Sequence, residues 1–489
     1  MKNGFTRIYN RIKHFSTPAK ASLAFMLCSF FQRGISTLTT PVFTRLLTTE
    51  QFGYYNIFNS WLEIIGVFTT LKLAGSVFTQ ALVKYPEERN KFAASTAGLG
   101  TTVTIIVYLI YLPLRAYINS LLGMNTLIMT CIFVASWATL MFELWAAQQR
   151  VEYKYKALVA LTIFTSLAKP LAGIVAILST IEYKAEARIV SLVAVEFFSY
   201  LALFFLFLKK GKTFYDKRYW KYSLSLNVPL IPHYLTRTIL HQSDRIMIKA
   251  MVGYSEAGIY GLAYNLAWML TLVTNAILNS LNPWIFQRIK TKEFKRLSQI
   301  CNIILAIVAI TGLLLISLAP EAVKLFAPSE YYEAIWVIPP VTISVFFLFM
   351  YSLFADFEFY YEQAKFMTIA STAGGVLNIV LNYICIQQYG YIAAGYTTLV
   401  CYMFYAVVHY FCAKRIIKNK LDNVKVYDIR LITIMSILFI CVSGLMMTLY
   451  NHPIIRYVFV LLIGLAIILF RKQIIEVLHE IRNRGNRDE

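Results

Sequence analysis

Long apolar runs alternate with short polar gaps along nearly all of the 489 residues. About 20 apolar residues are enough for a helix to cross the hydrocarbon core of a bilayer. The pattern therefore predicts an all-α polytopic membrane protein with about fourteen transmembrane helices. The last two are the weakest part of this prediction, because both runs are short. The approximate spans are 21–44, 54–80, 93–114, 121–147, 157–180, 189–208, 223–248, 257–282, 300–319, 334–355, 367–387, 391–413, 431–450 and 454–470.

The composition excludes the other broad classes. Hydrophobic residues make up 58% of the chain and charged residues 15%, whereas soluble domains carry about 25% charged residues. Disordered chains need low hydrophobicity. The seven cysteines lie in or beside apolar runs without a CxxC pair, so we interpret them as small buried side chains rather than disulfides or metal ligands. No cofactor and no metal site are expected.

The net charge of +21 first suggests an anionic partner such as nucleic acid. Its distribution indicates topology instead, because most lysines and arginines fall in alternate gaps between the apolar runs. Examples are the gap with Lys209, Lys210 and Lys212 and the gap with Arg150 and Lys154. The positive-inside rule then places both termini and these gaps in the cytoplasm. Two stretches, 283–297 and 473–484, mix apolar and basic residues and are typical of helices that contact membrane lipids.

Two joints between predicted helices have similar sequences. TRLLTTEQFGYYNIFNSW (44–61) places Glu50, Gly53 and Tyr55 at the first joint, and MVGYSEAGIYGLAYNLAW (251–268) places Glu256, Gly258 and Tyr260 at the second. Six predicted spans separate them, so the two halves have the same orientation and form a parallel repeat. Chance alone also produces a Gly-x-Tyr at a helix joint. The repeat predicts six-helix lobes over 1–210 and 211–420, and two additional helices with a basic cytoplasmic tail over 421–489.

Three segments resemble the Wzx-type polysaccharide flippases of the MOP (MATE-like) superfamily. They are PVFTRLLTTEQFGYYNIF (41–58), DRIMIKAMVGYSEAGIYGLAYNLA (244–267) and GGVLNIVLNYICIQQYGYIAAGYTTLV (374–400). In the third, Asn378 and Asn382 lie one turn apart on one face of the predicted helix. Each motif is loose, and their order and spacing carry most of the resemblance. The positions that match the signature are Arg45, Gly53, Asp244, Arg245, Gly258, Asn378 and Asn382.

The resemblance implies a fold and an activity. The fold would be two six-helix lobes in a V around a central cavity, followed by two extra helices. The activity would be the transfer of undecaprenyl-pyrophosphate-linked oligosaccharides across the bacterial cytoplasmic (inner) membrane, for O-antigen, capsule or exopolysaccharide synthesis. A polysaccharide polymerase and a chain-length regulator would be natural partners. The identity of the glycan, the envelope type and the driving force, whether protons, sodium or neither, stay open.

Several charged residues lie deep inside predicted spans. Such a charge costs about 2.5–3.5 kcal/mol at the centre of a bilayer, so each needs a partner or a watery cavity. In the first eight spans cations slightly outnumber anions, which favours a cationic cavity for a pyrophosphate. Arg33 is the strongest candidate because it lies near the middle of its span and its planar fork suits phosphate. The alternative for Arg33 is an ion pair with Glu63 or Glu143. Further candidates for cargo contact are Lys72, Lys169 and Arg237.

The seventh span carries a second group of candidates. His233, Arg237 and His241 are spaced i, i+4 and i+8, which predicts a polar stripe along one helix face, directed at the cavity and in contact with cargo. Asp244 ends this span beside Arg245. The two either satisfy each other, or Asp244 binds a coupling proton or sodium ion, as intramembrane carboxylates often do.

Two alternative functions remain. A membrane-embedded glycan enzyme, either a polymerase or an acyltransferase, has a similar number of spans, and a MATE-type small-molecule exporter has the same fold. The outer gaps are too short for a sizeable catalytic domain, and no GxSxG, HExxH, P-loop or GxGxxG motif occurs. His409 is conceivable as a catalytic residue but has no clear acidic partner in the sequence. The favoured interpretation is a transporter that works by alternating access and is not an enzyme.

Overall fold

The computed structural model describes residues 16–421, 424–469, 471 and 476. Across these residues every regular element is a helix, which confirms the predicted all-α class. Two predictions concern the chain ends and fall outside the described residues. They are the cytoplasmic location of the termini and the lipid-binding stretch at 473–484.

The described residues of the first half form nine α-helices, two of which are short. A 3₁₀ turn at Val228–Leu230 leads into the ninth. These helices are α1 Thr17–Leu46, α2 Thr49–Thr70, α3 Ser76–Lys84, α4 Arg89–Leu122, α5 Thr126–Val151, α6 Tyr155–Leu178, α7 Lys184–Gly211, α8 Lys217–Asn227 and α9 Ile231–Met251.

The second half continues with nine more helices as far as the described residues extend. A 3₁₀ segment at Ser329–Trp336 interrupts them. They are α10 Tyr254–Trp268, α11 Leu270–Thr291, α12 Phe294–Ser317, α13 Ala319–Phe326, α14 Ile338–Tyr360, α15 Ala364–Tyr389, α16 Ala393–Lys420, α17 Ile429–Thr448 and α18 Pro453–Leu469.

Nine helical segments among the described residues are long and apolar enough to cross a membrane, with α10 and α11 together forming one of them. The predicted count of fourteen is therefore not confirmed, although the multi-pass character is. Polar residues interrupt some of the other helices, most clearly α9, which carries Arg237, Asp244, Arg245 and Lys249. The last helix, α18, is too short, and it was also the weakest of the predicted spans.

Local sequence explains where several helices begin and end. The side chains of Thr48 and Gln51 form a reciprocal capping box at the start of α2, which satisfies backbone groups that would otherwise lack partners. The side chain of Asn125 accepts a hydrogen bond from the amide of Ile128 and starts α5. Gly123, with φ of +70°, ends α4 in the left-handed conformation that glycine adopts without strain.

The predicted second span, 54–80, is wrong in one respect that matters for the site. The helix α2 ends at Thr70, and both Leu71 and Lys72 take a left-handed conformation with φ of 48° before α3 begins. Lys72 therefore lies in a turn and not inside a helix. An apolar run contains no signal for this break, because Leu71 and Lys72 are both good helix formers.

The described chain divides into two compact units, one ending at Gln242 and one beginning at Ser243. In the first unit α1 packs on α6, α2 on α5, and α7 on α4, α5 and α6. In the second unit α14 packs on α12 and α16, and α17 packs on α12. The division into 1–210, 211–420 and 421–489 rests on the sequence repeat and stays a prediction.

Candidate functional site

The first unit contains a cavity of about 500 Å³ that is rich in charged side chains. Three cations and two carboxylates contribute to its wall, so the cavity has one positive charge in excess. The charged lining residues are Lys72, Arg150, Lys169, Glu143 and Glu196. The other polar and aromatic lining residues are Gln32, Thr139, Phe142, Tyr200 and Tyr234.

Three helices and one turn position these charges. Glu143 and Arg150 both belong to α5, and their separation of about two turns places them on one face. Lys169 lies on α6 and Glu196 on α7. Lys72 enters from the left-handed turn between α2 and α3, so this turn brings a cation to the cavity that a continuous helix would direct elsewhere.

The cations of this cavity differ in how they are satisfied. The Nζ atom of Lys169 lies 2.8 Å from Oε1 of Glu196, and the carboxylate of Glu196 is almost fully buried. Lys169 is thus held in an ion pair with Glu196. This structural role is the alternative to contact with cargo. Lys72 and Arg150 form no ion pair with any residue that the structure describes. These two side chains are therefore available to an anion.

Arg33 is exposed on α1 and does not line this cavity, although its neighbour Gln32 does. The proposed ion pairs with Glu63 and Glu143 are not formed within the described part of the chain. The Oε2 atom of Glu63 instead accepts a hydrogen bond of 2.7 Å from Gln242. Since it needs no protein partner in this conformation, Arg33 remains a candidate for contact with cargo.

The polar stripe of the seventh predicted span lies on one continuous helix, α9. His233 and Arg237 are exposed and His241 is half-buried. None of the three lines the cavity of the first unit, whereas Tyr234 on the same helix does. The structure thus brings Lys72 and Lys169 together but leaves the stripe outside this cavity. Its contact with cargo stays a prediction.

Asp244 lies at the centre of a buried hydrogen-bond network in the second unit. Its side chain is 1% exposed. Oδ2 accepts hydrogen bonds from the hydroxyls of Tyr260 at 2.6 Å and Thr398 at 2.7 Å, and Oδ1 accepts one from the amide of Asn382 at 2.6 Å. Three donors thus satisfy both oxygens of this buried carboxyl group.

Arg245, the neighbour of Asp244 on α9, has contacts of its own. It donates to Oδ1 of Asn265 at 3.3 Å, and its guanidinium lies 4.7 Å from the centre of the Tyr264 ring. Neighbouring side chains on a helix point about 100° apart. The pairing of Asp244 with Arg245 stays a prediction.

The two signature asparagines extend this network. The amide of Asn382 also donates to Oδ1 of Asn378 at 3.2 Å, and Oδ1 of Asn378 accepts from the hydroxyl of Ser243 at 2.8 Å. The hydroxyl of Thr397 donates to the side-chain oxygen Oδ1 of Asn382. The predicted one-turn spacing of Asn378 and Asn382 is confirmed, and both are fully buried. Their role here is to hold α9, α15 and α16 together.

The signature of the first joint also has a structural explanation. The guanidinium of Arg188, at the start of α7, lies 3.6 Å from the ring centres of both Phe43 and Tyr55. Cation–π contact on both faces fixes α7 against the joint of α1 and α2. Arg45 donates to the carbonyl of Pro41 at 2.9 Å, which agrees with a role in the local turn.

His409 has an acidic partner that the sequence does not indicate. Its Nδ1 atom lies 2.7 Å from Oε1 of Glu358. Both side chains are buried, with exposures of 1% and 0%. The two residues are 51 positions apart, so no local pattern could have joined them. A pair without access to a substrate gives no support to an acyltransferase.

Comparison with known proteins places the chain in a family. Residues 19–289 match the family model described as "Polysaccharide biosynthesis protein", and this range includes every residue of the charged cavity. The chain belongs to this family. Residues 229–384 also match the MatE family model. The chain is 21% identical to protein 1 of the Lsg locus of Haemophilus influenzae, over 74% of this chain and 89% of that protein.

Solved structures show the same fold. The lipid II flippase MurJ in an inward closed conformation aligns with a TM-score of 0.68 at 14% identity, over 92% of this chain and 100% of MurJ. An inward-facing multidrug resistance MATE transporter of the MOP superfamily aligns with a TM-score of 0.62 at 11% identity, over 79% and 96% of the two chains. The MATE-like fold and the resemblance to MOP-superfamily polysaccharide flippases are therefore confirmed.

Proposed function

We propose that this member of the polysaccharide biosynthesis family is a flippase for undecaprenyl-pyrophosphate-linked oligosaccharide repeat units. It moves them from the cytoplasmic to the outer leaflet of the bacterial inner membrane by alternating access, for O-antigen, capsule or exopolysaccharide synthesis. The observation that carries the proposal is the cavity of the first unit, with its net positive charge and with Lys72 and Arg150 in no ion pair with a described residue. The similarity in fold to a lipid II flippase supports a lipid-linked sugar as cargo.

The chemistry of the cavity suits a pyrophosphate. A pyrophosphate entering hydrocarbon loses its hydration, and charge-assisted hydrogen bonds from Lys and Arg replace that hydration. Arg150 offers two parallel donors to phosphate oxygens, and Lys72 offers a compact charge. The carboxylate of Glu143 in the same wall repels an anion, so it limits how tightly the cargo is held and favours release.

The remaining wall suits a sugar. Tyr200 and Tyr234 present hydroxyls and aromatic faces, and Phe142 presents a further aromatic face. Sugars stack on such rings through their apolar faces and use their hydroxyls for hydrogen bonds. The lipid tail stays in the bilayer, so the cavity needs to enclose only the polar part of the cargo.

The direction of transport follows from the proposed orientation, with the 209–221 loop in the cytoplasm. Tyr215 in this loop is 59% exposed, so a cysteine placed there is accessible to reagents. In a variant without other cysteines, a membrane-impermeant thiol reagent added to intact cells should leave residue 215 unlabelled and label it after permeabilisation. Labelling in intact cells would overturn the orientation.

The function is tested in a bacterial strain that lacks its own flippase and carries the matching glycosyltransferases. Expression of this chain should restore surface polysaccharide and remove the lipid-linked oligosaccharide that accumulates on the cytoplasmic side. If the chain were a glycan enzyme, single repeat units would still reach the surface in cells that lack it. An exporter of small molecules would neither restore surface polysaccharide nor remove the accumulated lipid-linked oligosaccharide.

A further inference from the structure

Asp356, near the end of α14 in the second unit, is a buried carboxyl group without a polar partner among the described residues. The side chain is 2% exposed. Its Oδ2 atom is completely enclosed, and no described residue donates a hydrogen bond to the carboxyl group or forms an ion pair with it. The polar network of Asp244 and the proposed cargo cavity do not include this residue.

Among the side chains that the structure describes, the titratable groups around Asp356 offer it no compensating charge. Those that interact with it electrostatically are Cys301 on α12 and Tyr427 ahead of α17. Both are neutral at physiological pH, and the hydroxyl of Tyr427 already donates to the carbonyl of Leu353 at 2.6 Å. Two residues further along α14, Glu358 faces α16 and pairs with His409. That hydrogen-bonded pair therefore does not serve Asp356.

Asp244 is a second buried aspartate, and donors surround it. Its exposure is 1%, close to that of Asp356, yet three donors lie within 2.7 Å of its oxygens. An ionised carboxylate without such donors is far more costly to bury than a neutral one, so the group takes up a proton instead. Asp356 therefore carries a proton in this conformation.

The position of Asp356 gives that proton a short route to water. The residue lies four positions before the last residue of α14, Tyr360, which corresponds to about 6 Å along the helix axis. The chain then turns sharply at Glu362, whose φ is +56°.

We propose that Asp356 is a proton-binding site of the transport cycle. It holds an O–H bond in the conformation described and releases that proton to water when the end of α14 opens. Release leaves a carboxylate, which must be neutralised again before the site can close. This inference rests on the proposed flippase function and assigns protons as its driving ion.

The protonation itself can be measured without transport. The infrared carbonyl band of a protonated carboxylic acid is recorded on the full protein in lipid vesicles at neutral pH. Asp356→Asn has nearly the same shape and should remove the intensity of one such group. The matched control is Asp216→Asn, because Asp216 is a carboxylate that accepts from Arg218 and should contribute nothing to the band. An unchanged band in Asp356→Asn would overturn the proposal.

Coupling is then measured with the same vesicles. Wild-type flipping of an undecaprenyl-pyrophosphate oligosaccharide should respond to an imposed proton gradient, and Asp356→Asn should flip the cargo without responding to it. A variant that responds as the wild type does would overturn coupling at Asp356. If the wild type moves no cargo while the infrared difference is present, the flippase proposal fails and the protonated site stands.

Discussion

The side-chain amide of Asn382 donates a hydrogen bond of 2.6 Å to Oδ1 of Asp244, and so joins two positions that are 138 residues apart. Both belong to the segments that resemble polysaccharide flippases. Tyr260 and Thr398 add two more donors to the same carboxylate. The signature residues of the second half therefore pack the interior of the unit, and this role explains them better than contact with cargo does.

This network predicts the effect of Asp244→Asn. The new amide group would face donor hydroxyls, and each buried group left without a partner costs about 1–3 kcal/mol. We expect a lower midpoint of thermal unfolding in detergent and a lower abundance in membranes. If Asp244 instead binds a coupling ion, abundance should stay normal and the dependence of transport on pH or sodium should disappear.

A double variant tests whether Asp244 and Arg245 form an ion pair. Asp244→Asn combined with Arg245→Gln should be no more stable than Asp244→Asn alone, because Arg245 contacts Asn265 and Tyr264. Restored abundance in the double variant would contradict the network as described. Thr398→Val, which removes a single donor, serves as the mild control, with an expected loss of about 1 kcal/mol.

The cavity of the first unit yields a prediction that separates binding from stability. Lys72→Gln and Arg150→Gln should leave the protein stable, since neither residue is in an ion pair with a described residue. Each should weaken cargo binding by about 1.5–3 kcal/mol, the value of a hydrogen bond to a charged group, or roughly 10- to 100-fold. Export and membrane abundance are measured together in a flippase-deficient strain.

Lys169 provides the contrasting case in the same wall. Lys169→Gln leaves the buried carboxylate of Glu196 without its partner, and this costs stability by about 1–3 kcal/mol. Adding Glu196→Gln should restore abundance. A stable Lys169→Gln protein with poor export would show instead that Lys169 contacts the cargo.

The sequence predicted features that depend on local spacing. Apolar runs indicated a multi-pass helical protein, and the i, i+4 spacing placed Asn378 and Asn382 on one face, as the structure has them. It could not show which faces meet, because periodicity describes one helix at a time. The pair of His409 and Glu358 and the donors to Asp244 were missed for this reason.

Two cations show a further limit. The sequence places Arg150 in a gap that indicates orientation, because it lies close to the end of a span, and that orientation stays a prediction. Arg150 belongs to the last turn of α5 and lines the cavity. Lys72 was placed inside a helix and lies in a left-handed turn. Charge near a helix end gives orientation from sequence alone, whereas access to a cavity depends on the packed fold.

The last helix provides a prediction on pH. The guanidinium of Arg456 donates two hydrogen bonds of 2.8 Å to the carboxylate of Glu321 in the short helix α13. Arg456 thereby lowers the pKa of Glu321 from its ordinary value of 4.5. A carboxyl group with a lowered pKa in the folded state stabilises the fold above its ordinary pKa, and this contribution is lost as the pH falls through the folded value.

The thermal stability of the wild type should therefore fall on acidification below about pH 4.5, the unperturbed pKa of Glu321. Arg456→Gln should be less stable at neutral pH and should lose less on acidification, because Glu321 then titrates as an ordinary carboxyl group. Unfolding midpoints across the pH range provide the comparison. Parallel curves for the two proteins would show that the Arg456–Glu321 contact contributes nothing.

Arg33 provides the sharpest test of a cationic path for cargo. The residue is exposed on α1, beside Gln32 in the cavity wall, and has no ion-pair partner among the described residues. A charge in the middle of a span is costly unless water or a ligand reaches it. Arg33→Ala should therefore nearly abolish glycan export while abundance stays normal, and lipid-linked oligosaccharide should accumulate on the cytoplasmic side.

Graded substitutions at Arg33 distinguish phosphate contact from other roles. Arg33→Lys keeps the charge but loses the planar fork, so export should fall only in part. Arg33→Glu should be the worst variant, because it repels the pyrophosphate. If Arg33 instead pairs with Glu63 or Glu143 in another conformation, Ala and Glu should lower abundance, and a charge swap at the acidic partner should restore it. Full export by an abundant Arg33→Ala protein would remove Arg33 from the cargo path and leave Lys72 and Arg150 as its cations.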